Sequence, residues 1–250
     1  MKYDTALCRL VEKKEIAKGF FDFRVQNTDL MNNALPGQFV HILVPGKTLR
    51  RPISICDVEN GCMRLVFEIR GEGTDILSQM KVGDDLDILG PLGTGFKIEK
   101  GKKYAFVGGG IGTPPLLYAA KQADTAIAVL GFRSSDAIIL KEDFEKACSK
   151  VYLTTDDGSA GHHGFVTDPL SEIIGEVDEV CACGPTPMLK AIALIAQKNA
   201  KPCQISMEER MGCGVGACLV CACKTKINNV EGYSHVCKAG PVFRAEEVVF

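Results

Sequence analysis

The sequence predicts three parts in order: an antiparallel β-barrel, a parallel α/β sheet and a small cysteine-rich segment. Three observations lead to this prediction. Short apolar runs bounded by glycine, proline and aspartate fill residues 1–98. Strand-like and helix-like patterns alternate over residues 99–207. Five of the twelve cysteines crowd into residues 208–250, between Cys213 and Cys237.

The composition is that of a globular protein with a buried core. The 250 residues are 46% hydrophobic and 24% charged, which suits one large domain or two small ones. A net charge of −2 offers no basic field for nucleic acid. The sequence holds no run of about 18 apolar residues, and its N-terminus is charged throughout. We therefore expect a cytoplasmic protein that binds neither nucleic acid nor membrane.

Residues 1–98 have the pattern of short β-strands. The runs QFVHILVP, MRLVFEIR and DDLDILGPLG are apolar and end at glycine, proline or aspartate. They predict an antiparallel barrel or sandwich. One short helix is expected at residues 75–80, just after GEGT.

Residues 99–207 alternate five strands with helices and so predict a five-stranded, doubly wound parallel sheet. The run KYAFVGGGIG is a strand that enters a glycine turn, and TPPLLYAAKQ opens a helix with proline near its start. The later strands are TAIAVLGF, KVYLTT, EVCACG and PCQISM. In such sheets, ligands bind at the carboxyl ends of the strands.

Two glycine turns at that edge indicate a dinucleotide site. VGGGIGTPP joins a strand to a helix N-terminus, which suits a pyrophosphate, although it departs from the strict G-x-G-x-x-G pattern. CACGPTPML ends the fourth strand with a second turn. The residues expected at a nicotinamide dinucleotide are Gly108, Gly109, Gly110, Gly112, Thr113, Cys183, Gly184 and Pro185.

Two motifs in the barrel suit a flavin. In RRPISI, Arg51 precedes Ser54 by three residues, so a guanidinium can meet a pyrophosphate while a hydroxyl lies near a flavin ring. A charged edge strand with a proline kink is the alternative. In RGEGT, Gly73 and Thr74 stand at an expected helix N-terminus, which favours phosphate. A simple turn and cap is the alternative there.

The cysteine segment has the spacing of an iron–sulfur site. Cys213-x4-Cys218-x2-Cys221 matches the plant-type [2Fe-2S] run, and Cys237 can supply the fourth thiolate. Glycines in the loop let backbone N–H groups approach the sulfur atoms. Zinc is the alternative, but zinc sites favour paired Cys-x2–4-Cys knuckles. We expect Cys223 to be structural, while an exchange of ligand roles between Cys221 and Cys223 stays open.

Together and in this order, the motifs resemble the ferredoxin-NADP reductase superfamily. The run SMEERMGCGVGACLVCACKT, followed by VCKAGPVF, is similar to the electron transfer subunits of dihydroorotate dehydrogenase B (NAD+). The resemblance covers nearly the whole chain, and the cysteine segment is its most specific part. Subunits of NADH-dependent ferredoxin:NADP+ oxidoreductase share the architecture but typically carry an aspartate-containing motif in the first-cysteine region. Here Glu208, Glu209, Arg210 and an intact Cys213 favour the dihydroorotate family.

The resemblance implies an oxidoreductase subunit of pyrimidine biosynthesis that holds FAD, a [2Fe-2S] cluster and NAD+. A separate FMN-containing catalytic subunit would oxidise dihydroorotate, in a heterotetramer of two plus two chains. Electrons would pass through the cluster and FAD to NAD+, with no side-chain acid or base and with Ser54 near the flavin. The implied FAD residues are Arg51, Pro52, Ile53, Ser54, Ile69, Arg70, Gly71, Gly73 and Thr74. The implied cluster ligands are Cys213, Cys218, Cys221 and Cys237.

Two other functions remain open from the sequence. One is an electron-transfer subunit that serves a different substrate subunit. The other is a zinc-stabilised nucleotide-binding module without electron transfer. The choice between NAD and NADP also stays open, because neither Arg133 nor Asp156 is placed clearly enough to decide it.

Overall fold

A closed antiparallel barrel forms the first part of the chain, as predicted. The computed structural model describes residues 4–27, 30 and 32–250. Within these ranges six strands close the barrel in the order β1–β2–β5–β4–β3–β6. The strands are β1 (Asp4–Ala17), β2 (Phe20–Gln26), β3 (Phe39–Ile42), β4 (Arg51–Glu59), β5 (Cys62–Glu68) and β6 (Asp85–Leu92). Because side chains alternate across each strand, one set fills the interior, including Leu10, Phe23, Ile55, Leu65 and Ile88.

Helix α1 (Glu72–Ser78) connects β5 to β6. It begins three residues before the predicted position at 75–80, because Gly71 forms the N-cap. The Thr74 hydroxyl accepts hydrogen bonds from the N–H groups of Arg70 (2.9 Å) and Gly71 (3.3 Å). These bonds close the turn and fix where the helix begins.

The α/β part follows the predicted alternation. Its strands are β7 (Lys103–Gly109), β8 (Thr125–Phe132), β9 (Lys150–Thr155), β10 (His162–His163), β11 (Glu179–Cys183) and β12 (Cys203–Ser206). Its helices are α2 (Pro114–Gln122), α3 (Lys141–Ala147), α4 (Thr167–Ile173) and α5 (Thr186–Lys198). In the part of the chain that the structure describes, no helix has the length and apolar character to cross a membrane.

The parallel sheet has the strand order of a doubly wound fold. The five predicted strands stand in the order β9–β8–β7–β11–β12, and all neighbours pair in parallel. The order reverses between β7 and β11, which is where such sheets bind ligands. Two short strands extend the predicted five: β10 beside β9, and β15 (Val242–Arg244) beside β12.

The C-terminal segment is joined to both other parts. It contributes the hairpin β13 (Ala222–Ile227) and β14 (Val230–His235), and then β15 (Val242–Arg244). Strand β15 pairs antiparallel with β12, so this segment shares the central sheet. Cys221 and Cys237 belong to the same apolar core as Phe39 and Leu92 of the barrel. The segment therefore draws stability from its neighbours as well as from any metal it binds.

Buried charged side chains stabilise the contact between the C-terminal segment and the sheet. Glu179 of β11 is 1% exposed and accepts hydrogen bonds from Arg244 of β15 (2.6 Å) and Gln204 of β12 (2.9 Å). Lys102 also pairs with this carboxylate, at 3.2 Å. A buried carboxylate is tolerated only with such partners. The Glu179 network thus ties the end of the chain to the sheet.

A second buried ion network joins the barrel to the α/β part. Arg64 of β5 donates to Asp22 of β2 (Nη2–Oδ2 2.7 Å) and to Asp143 of α3 (Nη1–Oδ1 2.8 Å). Arg64 and Asp22 are both buried. Removing the arginine would therefore leave a buried carboxylate without its cation, which is strongly destabilising.

We expect Arg64→Met to lower the free energy of unfolding by about 3–5 kcal/mol, because Asp22 stays buried and loses its cation. Urea unfolding of the protein with saturating FAD measures this change. Arg24→Met is the matched control, since its ion pair with Glu12 lies at the surface and should contribute less than about 1 kcal/mol. Equal losses in the two variants would contradict a special role for the buried network.

Candidate cofactor sites

The two glycine turns meet at the carboxyl ends of β7 and β11. A Cβ atom at Gly112 would lie 2.5 Å from the backbone oxygen of Cys183, and one at Gly109 would lie 2.5 Å from the sulfur of Met188. Gly184 has a φ of +157°, and a Cβ atom there would collide with the side chain of Met188. Only glycine permits this approach of two turns. The result is an open backbone surface at the reversal point of the sheet.

A cleft of about 720 Å³ opens over these turns. The predicted residues that line it are Gly109, Gly110, Gly112, Gly184 and Pro185. Three other predicted residues lie behind the surface. Gly108 and Cys183 are buried within paired strands, and the buried hydroxyl of Thr113 packs beneath Gly108. Arg133, Asp136 and Asp156 form the far wall of the cleft, which places charged groups of both signs there.

A second cavity of about 200 Å³ lies between the barrel and the end of the sheet. Five of the residues predicted for FAD line it: Pro52, Ile53, Ser54, Arg70 and Thr74. Phe39 and Met211 supply apolar walls from β3 and from the cysteine segment. Ile69 and Gly71 are not among its lining residues. A cavity with apolar walls and a few polar groups is the usual form of a cofactor site.

Arg51 lies beside this cavity, against the first turn of α1. A Cβ atom at Gly73 would stand 2.3 Å from Nε of Arg51, so the guanidinium rests directly on the glycine backbone. Its Nη1 donates to the backbone oxygen of Leu49, at 2.7 Å. The guanidinium therefore presents its remaining donors next to the start of the helix. This arrangement fits a phosphate group.

The two cavities adjoin. Four residues line both of them: Glu68, Arg70, Ile111 and Glu208. A ring bound in the first cavity and a ring bound in the second would therefore be neighbours. That adjacency is the requirement for hydride transfer between two ring systems.

Sequence reasoning did not assign Glu208 a role at this junction. The residue directly follows Met207, just beyond the carboxyl end of β12, so its position after a sheet strand was the available signal. The side chain keeps contact with solvent at the mouth of the cleft, yet the walls around it raise its pKa by desolvation. The positive charge of Arg70 opposes this shift. Glu208 thus provides an acidic group where the two cavities meet.

The cysteine loop surrounds its sulfur atoms with backbone donors. The N–H groups of Val215 (3.4 Å), Ala217 (3.2 Å) and Cys218 (3.4 Å) point to the sulfur of Cys213. Gly216 donates to the sulfur of Cys237, at 3.1 Å. Such N–H···S bonds are the means by which proteins hold and tune an iron–sulfur cluster. The donor set fits a cluster with four thiolates.

The four predicted ligands approach one another as two pairs. Hydrogen bonding couples Cys213 to Cys218 and Cys221 to Cys237. Over the described ranges, no group of three or more His, Cys, Asp or Glu side chains is close enough for a single metal ion. Burial raises the pKa of the Cys213 thiol, but the surrounding N–H donors outweigh it and lower the pKa to about 6. The loop thus favours a thiolate at this position.

Cys223 and the paired histidines lie apart from this arrangement. The Cys223 thiol is buried on β13 and donates to the backbone oxygen of Ser234, at 3.5 Å. Its pKa is raised by burial. His162 and His163 are exposed, and His162 contacts Asp168 at 3.2 Å. Cys223 and His162 therefore each have a structural contact of their own.

Comparison with known proteins gives a consistent relationship. The family model for the iron–sulfur cluster binding domain of dihydroorotate dehydrogenase B matches residues 208–249. The electron transfer subunit of dihydroorotate dehydrogenase B (NAD(+)) from Caldanaerobacter subterraneus subsp. tengcongensis is 50% identical, over 86% of this chain and 87% of its own. The corresponding subunit from Bacillus caldolyticus is 40% identical over 96% of each chain.

A solved structure resembles this chain over nearly its whole length. A chain of the NADH-dependent reduced ferredoxin-NADP oxidoreductase superposes with a TM-score of 0.87 and 34% identity, covering 98% of this chain and 90% of its own. That likeness extends from the barrel through the sheet to the cysteine segment. The curated relatives are closer in sequence, at 50% and 40% identity. The chain belongs to the family of electron transfer subunits of dihydroorotate dehydrogenase B (NAD(+)).

Proposed function

We propose that this chain acts in pyrimidine biosynthesis as an electron carrier. It receives electrons from a catalytic subunit that oxidises dihydroorotate, and it passes them to NAD+. The observation that supports it most directly is the cysteine loop packed between a flavin-type barrel and a dinucleotide-type sheet. When bound, a [2Fe-2S] cluster exchanges single electrons with FAD, and FAD exchanges electron pairs with NAD+ as hydride. The chain's own residues supply binding, orientation and electrostatic tuning for this transfer.

FAD would occupy the cavity between the barrel and the sheet. Arg51 would hold its pyrophosphate beside Gly73, where the guanidinium already rests. Pro52, Ile53 and Ser54 would border the isoalloxazine, since they line the cavity. Thr74 would stabilise the adjoining turn through its bonds to Arg70 and Gly71, so its role is conformational. Ile69 would set the backbone that leads into this turn.

NAD+ would occupy the larger cleft. Its pyrophosphate would lie on the backbone of Gly109, Gly110 and Gly112. The turn from Cys183 to Pro185 would border the nicotinamide. Gly108 and Thr113 would support the first turn from behind, because both are buried there.

The cluster would be held by Cys213, Cys218, Cys221 and Cys237. The first two lie at the surface side of the loop, and the last two are buried in the core shared with the barrel. This arrangement would place one side of the cluster towards the flavin cavity and the other towards solvent. Electron transfer requires a short distance from the cluster to the flavin on one side and to the partner's redox group on the other.

A partner subunit would dock on the exposed side of the cysteine loop. Leu219 and Val220 are 61% and 56% exposed there, directly after the exposed Cys218. Apolar side chains exposed beside a redox centre suit an interface core. We infer that an FMN-containing catalytic subunit covers residues 212–221, in an assembly of two plus two chains. A cytoplasmic location is supported by the twelve cysteines, all of them free thiols within the described ranges.

An anaerobic visible spectrum with iron, sulfide and flavin assays tests the cofactor set. Protein purified with its native partner should contain about two irons, two sulfides and one FAD in this chain. Addition of NADH should bleach the flavin absorption. Zinc in place of iron, with no FAD, would overturn the proposal in favour of a structural metal site.

Arg51→Ala should weaken FAD binding by about 10- to 150-fold, because a hydrogen bond to a charged group contributes roughly 1.5–3 kcal/mol. Equilibrium dialysis of FAD against the apoprotein measures the dissociation constant. Arg24→Ala is the control, since that arginine pairs with Glu12 on the barrel surface. Unchanged FAD affinity in Arg51→Ala would contradict the phosphate role.

Cys223→Ser should retain about two irons and two sulfides per chain, because its thiol already bonds within the hairpin. Cys213→Ser should lower the iron content and alter the visible spectrum, since this sulfur receives most of the N–H donors of the loop. Iron and sulfide analysis of the two variants, prepared side by side, distinguishes the cysteines. Loss of the cluster in Cys223→Ser alone would assign the ligand role to Cys223 instead.

Leu219→Asp should weaken the complex with the catalytic subunit by about 30-fold, as expected for a buried anchor worth about 2 kcal/mol. Aspartate also tolerates the left-handed backbone at this position, where φ is +62°. Val82→Asp is the control, because Val82 is similarly exposed (59%) but lies on a turn of the barrel. Surface plasmon resonance with immobilised partner measures both. Equal affinities for the two variants would exclude this face as the docking site.

A further inference from the structure

His41 is a buried histidine without a hydrogen-bond partner. The residue lies on β3 and is 0% exposed. Among the described residues, no group is within hydrogen-bond geometry of either Nδ1 or Nε2. Leaving a buried polar atom unpaired costs about 1–3 kcal/mol. Such an atom in a native protein calls for an explanation, and an acceptor on a bound cofactor is one.

The Nδ1 edge of the ring faces the cysteine loop. A Cβ atom at Gly214 would lie 2.6 Å from Nδ1 and 3.2 Å from Cε1 of His41. Gly214 has a φ of +74°, so both its backbone and the histidine ring require glycine. The neighbouring residue Cys213 receives the N–H···S bonds of the loop. The unpaired donor of His41 therefore stands at the inner wall of the candidate iron–sulfur site.

The same strand face reaches the flavin cavity. Phe39 is two residues before His41 on β3, and its ring meets the histidine ring edge to face, with centroids 6.4 Å apart. Phe39 also lines the flavin cavity. His41 thus lies between the two candidate redox sites and belongs to the rigid barrel, whereas the cysteines lie on a loop.

The ring edge that faces the loop can act as a donor. A neutral imidazole carries one N–H donor and one acceptor, and the proton can reside on either nitrogen. With the proton on Nδ1, the N–H group lies against Gly214, where no group of the described residues reaches hydrogen-bond geometry.

We propose that His41 is a positioning residue for the iron–sulfur centre, and that its Nδ1–H donates a hydrogen bond to a sulfur atom of the bound cluster. The inference rests on the proposed function, because it requires a [2Fe-2S] group on the four cysteines. The bond gives the unpaired Nδ1–H group an acceptor and holds the cysteine loop against β3. A hydrogen bond to cluster sulfur stabilises the reduced state, which carries more negative charge, and so raises the reduction potential.

An EPR-monitored redox titration of the holoprotein tests the proposal. His41→Leu should lower the ratio of reduced to oxidised cluster by about tenfold at a fixed potential, which is about 59 mV for a one-electron couple. His41→Asn should recover most of this loss, because its amide N–H stands near the position of Nδ1. Val40→Ala is the control for packing on β3, since Val40 belongs to the barrel interior; its midpoint should not move. Equal shifts in the Leu and Asn variants, or no shift in either, would overturn the proposal.

If His41→Leu does not retain a cluster, a measurement on the wild-type protein tests the proposal instead. Pulsed EPR of the reduced holoprotein, labelled with ¹⁵N only in histidine, should show a weak ¹⁵N coupling to the cluster. The His41→Asn variant should lack that coupling, which excludes His235 and the other histidines as its source. A wild-type cluster without any histidine coupling overturns this inference and leaves the electron-transfer function intact. A protein without a cluster signal overturns the proposed function itself.

Discussion

The buried carboxylate of Glu179 is the interaction on which the arrangement of the cofactor sites depends. It lies on the central sheet strand β11 and receives hydrogen bonds from Arg244 and Gln204. Because Arg244 belongs to β15, these bonds and the pairing of β15 with β12 anchor the C-terminal segment to the sheet. The cysteine loop is thereby pressed against barrel strand β3. Without that anchor, the loop would depend on the apolar core that it shares with the barrel, on the hairpin and on any metal that it binds.

The anchored segment brings three binding regions into one line. The cleft proposed for the dinucleotide lies over the reversal point between β7 and β11, and the cavity proposed for the flavin lies where the barrel meets the sheet. Glu68, Arg70, Ile111 and Glu208 belong to both, so the two cavities are continuous. The cysteine loop then follows on the other side of Phe39. The two cavities share four side chains, and Met211 of the cysteine segment lines the cavity between the barrel and the sheet. Such preorganisation is what a protein contributes to cofactor chemistry.

Local patterns in the sequence were sufficient for the barrel, the parallel sheet and the cysteine spacing, because each leaves a period or motif within a few residues. The start of α1 was placed three residues too late, because the turn is closed by a hydrogen bond from Gly71 to Thr74. Long-range features were not visible. The three-residue strand β15 is too short to carry a pattern, and its partner β12 lies far away in the sequence. Glu208 and His41 are single residues whose positions beside cofactor sites arise only when separate segments pack together.

The most direct test of the central claim is anaerobic rapid mixing of dihydroorotate with this chain, alone and in complex with its FMN-containing catalytic partner. Dihydroorotate should reduce the cluster and FAD of this chain only in the complex, and NAD+ should then reoxidise both. Reduction of the isolated chain by dihydroorotate would contradict the proposed electron-transfer role, because substrate oxidation would not then require a separate subunit. A complex in which the substrate reduces the partner's FMN but never the cofactors of this chain would contradict it as well.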